Sequence, residues 1–228
     1  MIDPQVWMPE AVSALRRRFG AQVLFVGLQG SYERGDAVEE SDIDILTVLD
    51  RLDLETLAAY RATLRRLPEG EKAGGFTCDR DTLRAWPALE LFQFARDTTA
   101  YYGELETLLP PVGLQDTIMG ARLGVSSLYH WAVHTALLSD GASKTAALRQ
   151  LQKNFFFALR IVVYLRGGEY AHSWEALCAL LTGDAAVMLR WCMDTMAVPL
   201  PWDAAADAFC RFVLYWAAAT LQDLDRRV

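Results

Sequence analysis

Asp42 and Asp44 stand two residues apart in SDIDILTVLD, and Gly30, Ser31 and Arg34 stand shortly before them in GLQGSYERG. In an extended chain, side chains at i and i+2 share a face, so the two carboxylates project together while Ile43 and Ile45 enter a core. Such a pair suits Mg2+, a hard ion that takes oxygen ligands and completes its shell with water and phosphate oxygens. An ion held there polarises a phosphoryl group and steadies a departing pyrophosphate. Gly30-Ser31 ends an apolar run of strand length, AQVLFVGL, and opens the short helical segment SYER. A small residue there lets backbone approach a ligand, and the first N–H groups of the helix with the Ser31 hydroxyl are donors for a terminal phosphate. Arg34, one turn on, adds a charge-assisted contact. Asp-x-Asp alone is common and Gly-Ser alone is usually a turn. Both at strand ends, flanked by apolar runs, converge on one nucleoside triphosphate. Glu33, Asp36, Glu39 and Glu40 between them read as solvated charges.

The elements that must position these groups are legible in outline. Asp3-Pro4 caps and opens a helix to about Phe19, where Gly20 stops it; Pro9 either kinks it or moves its start. Arg16, Arg17 and Arg18 form a solvated last turn that complements the helix dipole. The run 21–28 and DIDILTVLD read as two strands, and KAGGFTC as a third, weakened by its glycines. LDLETLAAYRATLRRL, with Leu54, Leu57, Leu64 and Leu67, reads as an amphipathic helix. DRDTLRAW and ALELFQFARDT read as helical up to a stop at Tyr102-Gly103, and Pro110-Pro111 marks a boundary. Beyond it the spacing predicts helices near 114–138, 144–166, 173–182, 184–197 and 203–226. Their separators are Asp140-Gly141, Gly167-Gly168, Gly183 and Val198-Pro199-Leu200-Pro201. The expected fold class is α+β: a head over 1–109 built on a small mixed sheet with helices, followed by a helical bundle over 112–228.

Composition narrows the partners. The chain has 228 residues, 53% of them hydrophobic, enough for a sizeable core. Its net charge of -7 argues against a nucleic-acid partner and favours a cationic or neutral one. Cys78, Cys178, Cys192 and Cys210 lie far apart without metal-binding spacing and read as reduced core thiols of a cytoplasmic protein. The N-terminus mixes acids and arginines with its apolar residues, unlike a signal peptide. No run approaches the roughly 18 apolar residues of a membrane span, so no membrane partner is expected.

GSYERG followed by SDIDI resembles the signature of the nucleotidyltransferase superfamily related to DNA polymerase β, in which Gly-Ser, a loop and Asp-x-Asp follow one another. AWPALELFQFARDTTAYYGELETLL and the helical half are similar to kanamycin nucleotidyltransferase and its bacterial relatives. The resemblance implies Mg2+-dependent transfer of a nucleoside monophosphate, AMP from ATP, to a hydroxyl, with release of pyrophosphate. Asp42 and Asp44 would be catalytic and hold the metal, while Gly30, Ser31 and Arg34 would bind the nucleotide. The implied acceptor is a small molecule, with aminoglycoside-like antibiotics among the candidates. A protein acceptor and a nucleotide-binding scaffold without turnover are the alternatives. A homodimer in which one subunit completes the other's site is one arrangement of such relatives.

Two departures from that pattern bear on turnover. The third carboxylate common in the superfamily falls near Gly74 or Gly75, which have no side chain; Asp79 or Glu71 could substitute, although Asp79 also reads as the N-cap of DTLRAW. The first helix of the second half has no glutamate base after Asp116, leaving His130 and His134, an i, i+4 pair, as proton acceptors or as polar surface residues. Further on, Leu148, Leu151, Phe155, Leu159 and Val162 form a core stripe. Arg149, Lys153 and Arg160 read as a solvated basic face, or as arms toward the triphosphate. Trp174, Trp191, Trp202 and Trp216 read as bundle core.

Overall fold

The computed structural model describes residues 1–137, 141–195 and 204–227, in two compact units, Met1–Val112 and Gly113–Val228. The Asp140 stop, the 198–201 break and Trp202 lie outside the described residues.

Asp3 caps α1 (Pro4–Phe19) by accepting the Gln5 N–H at 2.9 Å, and Pro4 takes a first-turn position that needs no amide donor. Pro9 lies inside this helix without moving its start; it removes only the N–H that would reach Gln5. A 3-10 turn at Gly20–Gln22 delays β1 to Val23–Gln29. Next come α2 (Gly30–Arg34), β2 (Ile43–Leu49) and α3 (Leu54–Leu64), which Asp53 caps through the Thr56 N–H. Leu54 and Leu57 are exposed and α3 buries Tyr60 and Leu64 instead, so the expected leucine stripe is only partly its inner face. β3 (Ala73–Asp79), α4 (Arg80–Arg84), α5 (Ala88–Arg96) and β4 (Thr99–Tyr102) complete the unit. β4 was expected as the tail of a helix; TAYY is β-branched and aromatic, and once α5 ends at Arg96 it pairs with β1.

The sheet is mixed, in the order β3-β2-β1-β4, with β1 antiparallel to β2 and β4 and with β2 parallel to β3. Each face is covered. Trp7, Met8, Ala11 and Leu15 of α1 and Tyr60 and Leu64 of α3 pack with Val26, Leu28, Ile43 and Ile45. Leu83 of α4 and Leu91 of α5 pack on the other face with Phe25, Leu46, Val48 and Cys78.

The second unit is helical: α6 (Leu114–Leu137), α7 (Gly141–Gly167), α8 (Trp174–Ala179), α9 (Gly183–Thr195) and α10 (Ala204–Asp225). Leu148, Leu151, Phe155, Leu159 and Val162 of α7 are all buried, as their spacing requires. Phe155 meets Phe209 and Trp216 of α10 edge-on, Trp174 stacks on Phe156 at 4.3 Å, and Trp191 tilts against Phe209. By length and composition alone α10 could cross a membrane, which its sequence had not signalled; here α10 packs against α6 and buries Phe209, Val213, Ala217 and Leu224.

Candidate active site

Alternation along β2 puts Asp44 on the face of Leu46 and Val48, the face that α4 and α5 cover, but at the end of the strand where that cover stops. Asp44 is half-buried there, while Asp42 is exposed one residue before the strand. The same alternation carried back one residue puts Asp42 on Asp44's side. Asp42 makes no ion pair or hydrogen bond among the described residues.

The Gly30-Ser31 turn meets Asp44 directly. Gly30 adopts φ 73°, and a Cβ built on it would stand 2.1 Å from Asp44 Oδ2, so only glycine lets the turn come this close. Ser31 follows as the second residue of α2, half-buried, its hydroxyl unbonded among the described residues. Its carbonyl accepts the N–H groups of Gly35 and Asp36, which close the turn. Tyr32 anchors the turn from below: it is buried, and its hydroxyl accepts the Ile2 N–H at 3.2 Å.

Arg34 is brought near but is already engaged. It donates to both carboxylate oxygens of Asp36, at 3.1 and 3.2 Å, with both side chains largely shielded. Asp36 is therefore no solvated charge. Glu33 is not one either, since it accepts from Thr99 at 3.3 Å; Glu39 and Glu40 are exposed as expected.

The parallel register settles which glycine faces the pair. Asp44 stands opposite Gly74, where a Cβ would lie 3.8 Å from Asp44 Oδ1. A Cβ on Gly75 would instead run into the Ile45 backbone. Asp79 pairs with Leu49 at the far end of the strand, five residues or about 17 Å from Gly74. It caps α4 by accepting the Thr82 N–H at 2.7 Å, so it does not stand in for a third carboxylate. Glu71 is exposed in the 3-10 turn before β3. Among the described residues no three His, Cys, Asp or Glu side chains gather as a metal group. The donor set is thus a carboxylate pair beside two glycine gaps, which fits Mg2+ if water and phosphate oxygens complete the shell.

Sequence reading missed the residues that frame this end of the sheet. Gln29, opposite Asp44, donates to Thr98 Oγ1 at 2.8 Å. Lys72 precedes β3 and, by register, stands beside Asp42; it donates to Glu69 at 2.7 Å and to the Glu39 carbonyl at 3.0 Å. The bond to Glu69 pushes the Lys72 ammonium above its ordinary value. Gln29 lay in the quoted stretch GLQGS, but only strand pairing reveals its partner.

In the second unit, His130 and His134 are both exposed on α6. Lys153 is exposed, but Arg160 is buried, with 1% of its surface accessible, contrary to the solvated face expected of it. Its guanidinium lies over the rings of Phe156, Phe157 and Tyr170, at 5.3, 5.3 and 4.7 Å from their centroids. Arg149 donates to the Thr195 carbonyl at the end of α9.

A mixed sheet carrying an Asp-x-Asp pair against a Gly-Ser turn, with a helical unit following, defines a nucleotidyltransferase fold. The sequence profile described as "Nucleotidyltransferase domain" matches residues 8–76. A Methanocaldococcus jannaschii protein, provisionally named a protein adenylyltransferase, is 40% identical over 70 residues, 28% of this chain and 70% of that protein. The chain belongs to the nucleotidyltransferase family and is an enzyme of that class. Among solved structures it is similar in fold to spectinomycin adenyltransferase of Enterococcus faecialis, crystallised with ATP and spectinomycin. That likeness has a TM-score of 0.63 at 11% identity and covers 95% of this chain and all of the other.

Proposed function

We propose that residues 1–109 are a nucleotidyltransferase domain that uses Mg2+, held by Asp42 and Asp44, to move AMP from ATP onto a hydroxyl of a small molecule. The observation that carries this reading is the approach of Gly30 to Asp44, which brings the phosphate turn and the metal strand to one point. Asp42 and Asp44 supply the catalytic and metal-binding carboxylates. Gly30 and Ser31 supply the turn that receives the phosphate tail, while Arg34 holds the loop by pairing its Nε–Nη2 edge with Asp36 and keeps its outer Nη donors for a phosphate. When bound, Mg2+ would supply Lewis acidity at a phosphoryl oxygen. The chain's own part is alignment: the acceptor oxygen bonds the α-phosphorus, the bond to the bridging oxygen breaks, and pyrophosphate departs with its electron pair. Gly74 offers no base beside Asp44, so the hydroxyl proton passes to solvent or to a group on the acceptor.

A cationic, aminoglycoside-like acceptor suits the net charge of -7 and the acidic residues around the turn. The fold likeness to spectinomycin adenyltransferase along 95% of the chain supports the same acceptor class. We place the enzyme in the cytoplasm, as a homodimer. A protein acceptor is the second reading, favoured by the 40% identity to the M. jannaschii protein. A nucleotide-binding scaffold is the third, favoured by the bare Gly74 position. Incubation with labelled ATP, Mg2+, an aminoglycoside panel and a cell lysate separates them: label is expected on a small molecule. Label on a protein instead selects the second reading, and binding without pyrophosphate release selects the third. Unchanged affinity for ATP with Mg2+ in the double variant Asp42→Asn, Asp44→Asn would refute the site itself.

A further inference from the structure

The solvated last turn expected of Arg16, Arg17 and Arg18 is half of a larger cluster. Arg61 lies in the last turn of α3, Arg65 caps that helix and Arg66 follows. Two helix ends thus carry six of the chain's 22 lysines and arginines, all six exposed. The two ends line one groove of about 360 Å3, with Ala14, Arg17 and Arg18 on one side and Thr63, Arg66 and Leu67 on the other. A second depression, over Pro9 and Val12, continues from Arg17 along α1. From Pro9 to Arg18 the helix rises about 14 Å, the length of about four extended residues.

Among the described residues none of these six arginines pairs with a carboxylate. Arg17 donates to Ser13 Oγ at 2.8 Å, while Arg16 and Arg18 stand over the rings of Tyr102 and Phe19 at 4.6 and 5.2 Å, contacts that bring no negative charge to them. Glu69, just past Arg66, is taken by Lys72. Glu10 lies two turns before Arg17, about 10 Å away along the axis of α1. Helix dipoles do not account for the cluster: each C-terminal end carries about half a negative charge, so two ends balance about one charge of the six. Gathered like charges repel one another, and an anion laid across them removes that cost.

The groove also selects among anions. Guanidinium forks match carboxylate and phosphate oxygens alike. Between them the floor is apolar: Ala14 and Leu67 are partly buried, and Thr63 turns its hydroxyl back to the Ala59 carbonyl at 2.8 Å. Among the described residues no aromatic side chain lines the groove, so a single strand of nucleic acid has no ring on which to stack a base. The net charge of -7 repels a long polyanion as well. A short acidic peptide with one aliphatic side chain satisfies both rim and floor, as acidic motifs do on arginine clusters.

We propose that the arginine-rimmed groove between α1 and α3 is a docking surface for an acidic segment of a partner protein, its carboxylates on Arg17, Arg18 and Arg66 and one aliphatic side chain on Ala14 and Leu67. α1 and α3 cover the face of the sheet opposite the one that Asp44 shares with Leu46 and Val48, so a segment held there leaves Asp44 uncovered, whatever the acceptor.

The test titrates the full chain into a labelled short peptide of glutamates with one central leucine, at low salt. Saturable binding is expected, about five-fold tighter than for the peptide with glutamate in place of the leucine, and lost when its glutamates become glutamines. Arg17→Glu, Arg66→Glu is expected to weaken it about ten-fold or more, whereas Arg226→Glu, Arg227→Glu, the same change of net charge beyond the end of α10, changes it less than about two-fold. Arg17→Gln, Arg66→Gln is expected to fall between, with the urea midpoint of the wild type, so that its loss is one of binding. Equal weakening by the two charge reversals, equal affinity without the leucine, or no binding by the wild type overturns the inference. So does a single-stranded oligouridylate that binds tighter than the peptide and is released by the Arg17 and Arg66 reversal, which makes the groove a nucleic-acid surface. Self-association of the chain that the same reversal abolishes, with no peptide bound, overturns it in favour of a second copy.

Discussion

The two units keep their shielded polar groups in opposite ways. In residues 1–112, apart from the enclosed Thr47–Tyr60 hydrogen bond, they gather at one end of the sheet: Asp44, Gln29, Thr98, Glu33 and Ser31 are all half-buried or partly bonded around the gaps left by Gly30 and Gly74. In residues 113–228 they are enclosed. Gln152, 1% exposed, donates to Thr195 Oγ1 at 2.9 Å, that hydroxyl donates back to the Trp191 carbonyl, and Arg149 donates to the Thr195 carbonyl, so the last residue of α9 is tied to α7. Arg160 is wrapped by aromatic rings. A polar cluster whose members satisfy one another holds a fold together. One that ends on missing side chains beside a carboxylate leaves room for something else.

The largest expected effects separate these roles. On the proposed reading, in which Asp44 helps hold Mg2+, Asp44→Asn should lower transfer about 10³-fold, with stability changed by less than about 1 kcal/mol. Turnover assays set beside urea denaturation check both halves. Arg160→Ala should do the reverse on the stability axis, costing about 3 kcal/mol through the cavity it opens under three rings. Arg160→Met, which keeps the volume and removes the charge, should cost under half as much. Equal losses for the two Arg160 variants would mean that the charge, and not the packing, is what the rings retain.

Gly30→Ala sharpens the comparison at smaller amplitude. The added methyl meets Asp44 Oδ2, and φ 73° is strained for alanine by about 1–2 kcal/mol, so the turn must shift away from the carboxylate. Nucleotide affinity should fall about ten-fold because the turn no longer stands against the carboxylate, the strain itself being common to the free and bound protein. A matching substitution at Gly35, which has nothing within 4 Å of its Cβ position, should bear the strain without the loss of affinity.

Local chemistry explains how much of this was legible. Asp3-Pro4, Asp53 and Gly35 mark helix ends through contacts a few residues long, so caps and boundaries follow from the string of residues. The Asp-x-Asp and Gly-Ser elements are likewise local, and their flanking apolar runs place them at strand ends. Register is not local. Whether Gly74 or Gly75 faces Asp44, whether Asp79 lies near it, and which residue meets Gln29 all depend on pairings across strands. Arg34 shows the same limit from the other side: its spacing fits a phosphate contact, and only the folded chain shows that Asp36, two residues on, takes its Nε–Nη2 edge. Arg160 misleads because the exposed stripe of α7, through Gln150, Lys153 and Phe157, passes it by, and stacking lets a guanidinium enter a core that an ammonium would not.

The smallest effect concerns the thiols, which mark the enclosed regions of both units. Burial pushes the Cys78 thiol from its ordinary 9.0 up to about 12 and the Cys210 thiol up to about 11. The Cys192 thiol is shifted upward for the same reason. A thiol raised in the folded state keeps its proton there after the unfolded chain has lost it. The stabilisation is therefore complete below pH 9 and is lost as pH rises from 9 through about 11 for Cys210 and about 12 for Cys78. Denaturation midpoints measured from pH 8 to 11 should decline, and Cys78→Ala, Cys210→Ala should flatten that decline while lowering the plateau. The same burial predicts that these thiols resist alkylation at pH 8 until the chain unfolds. Rapid labelling of Cys78 in the native enzyme would mean that the layer under α4 opens, and the Asp44 end of the sheet would then lack the rigid backing that its carboxylate geometry requires.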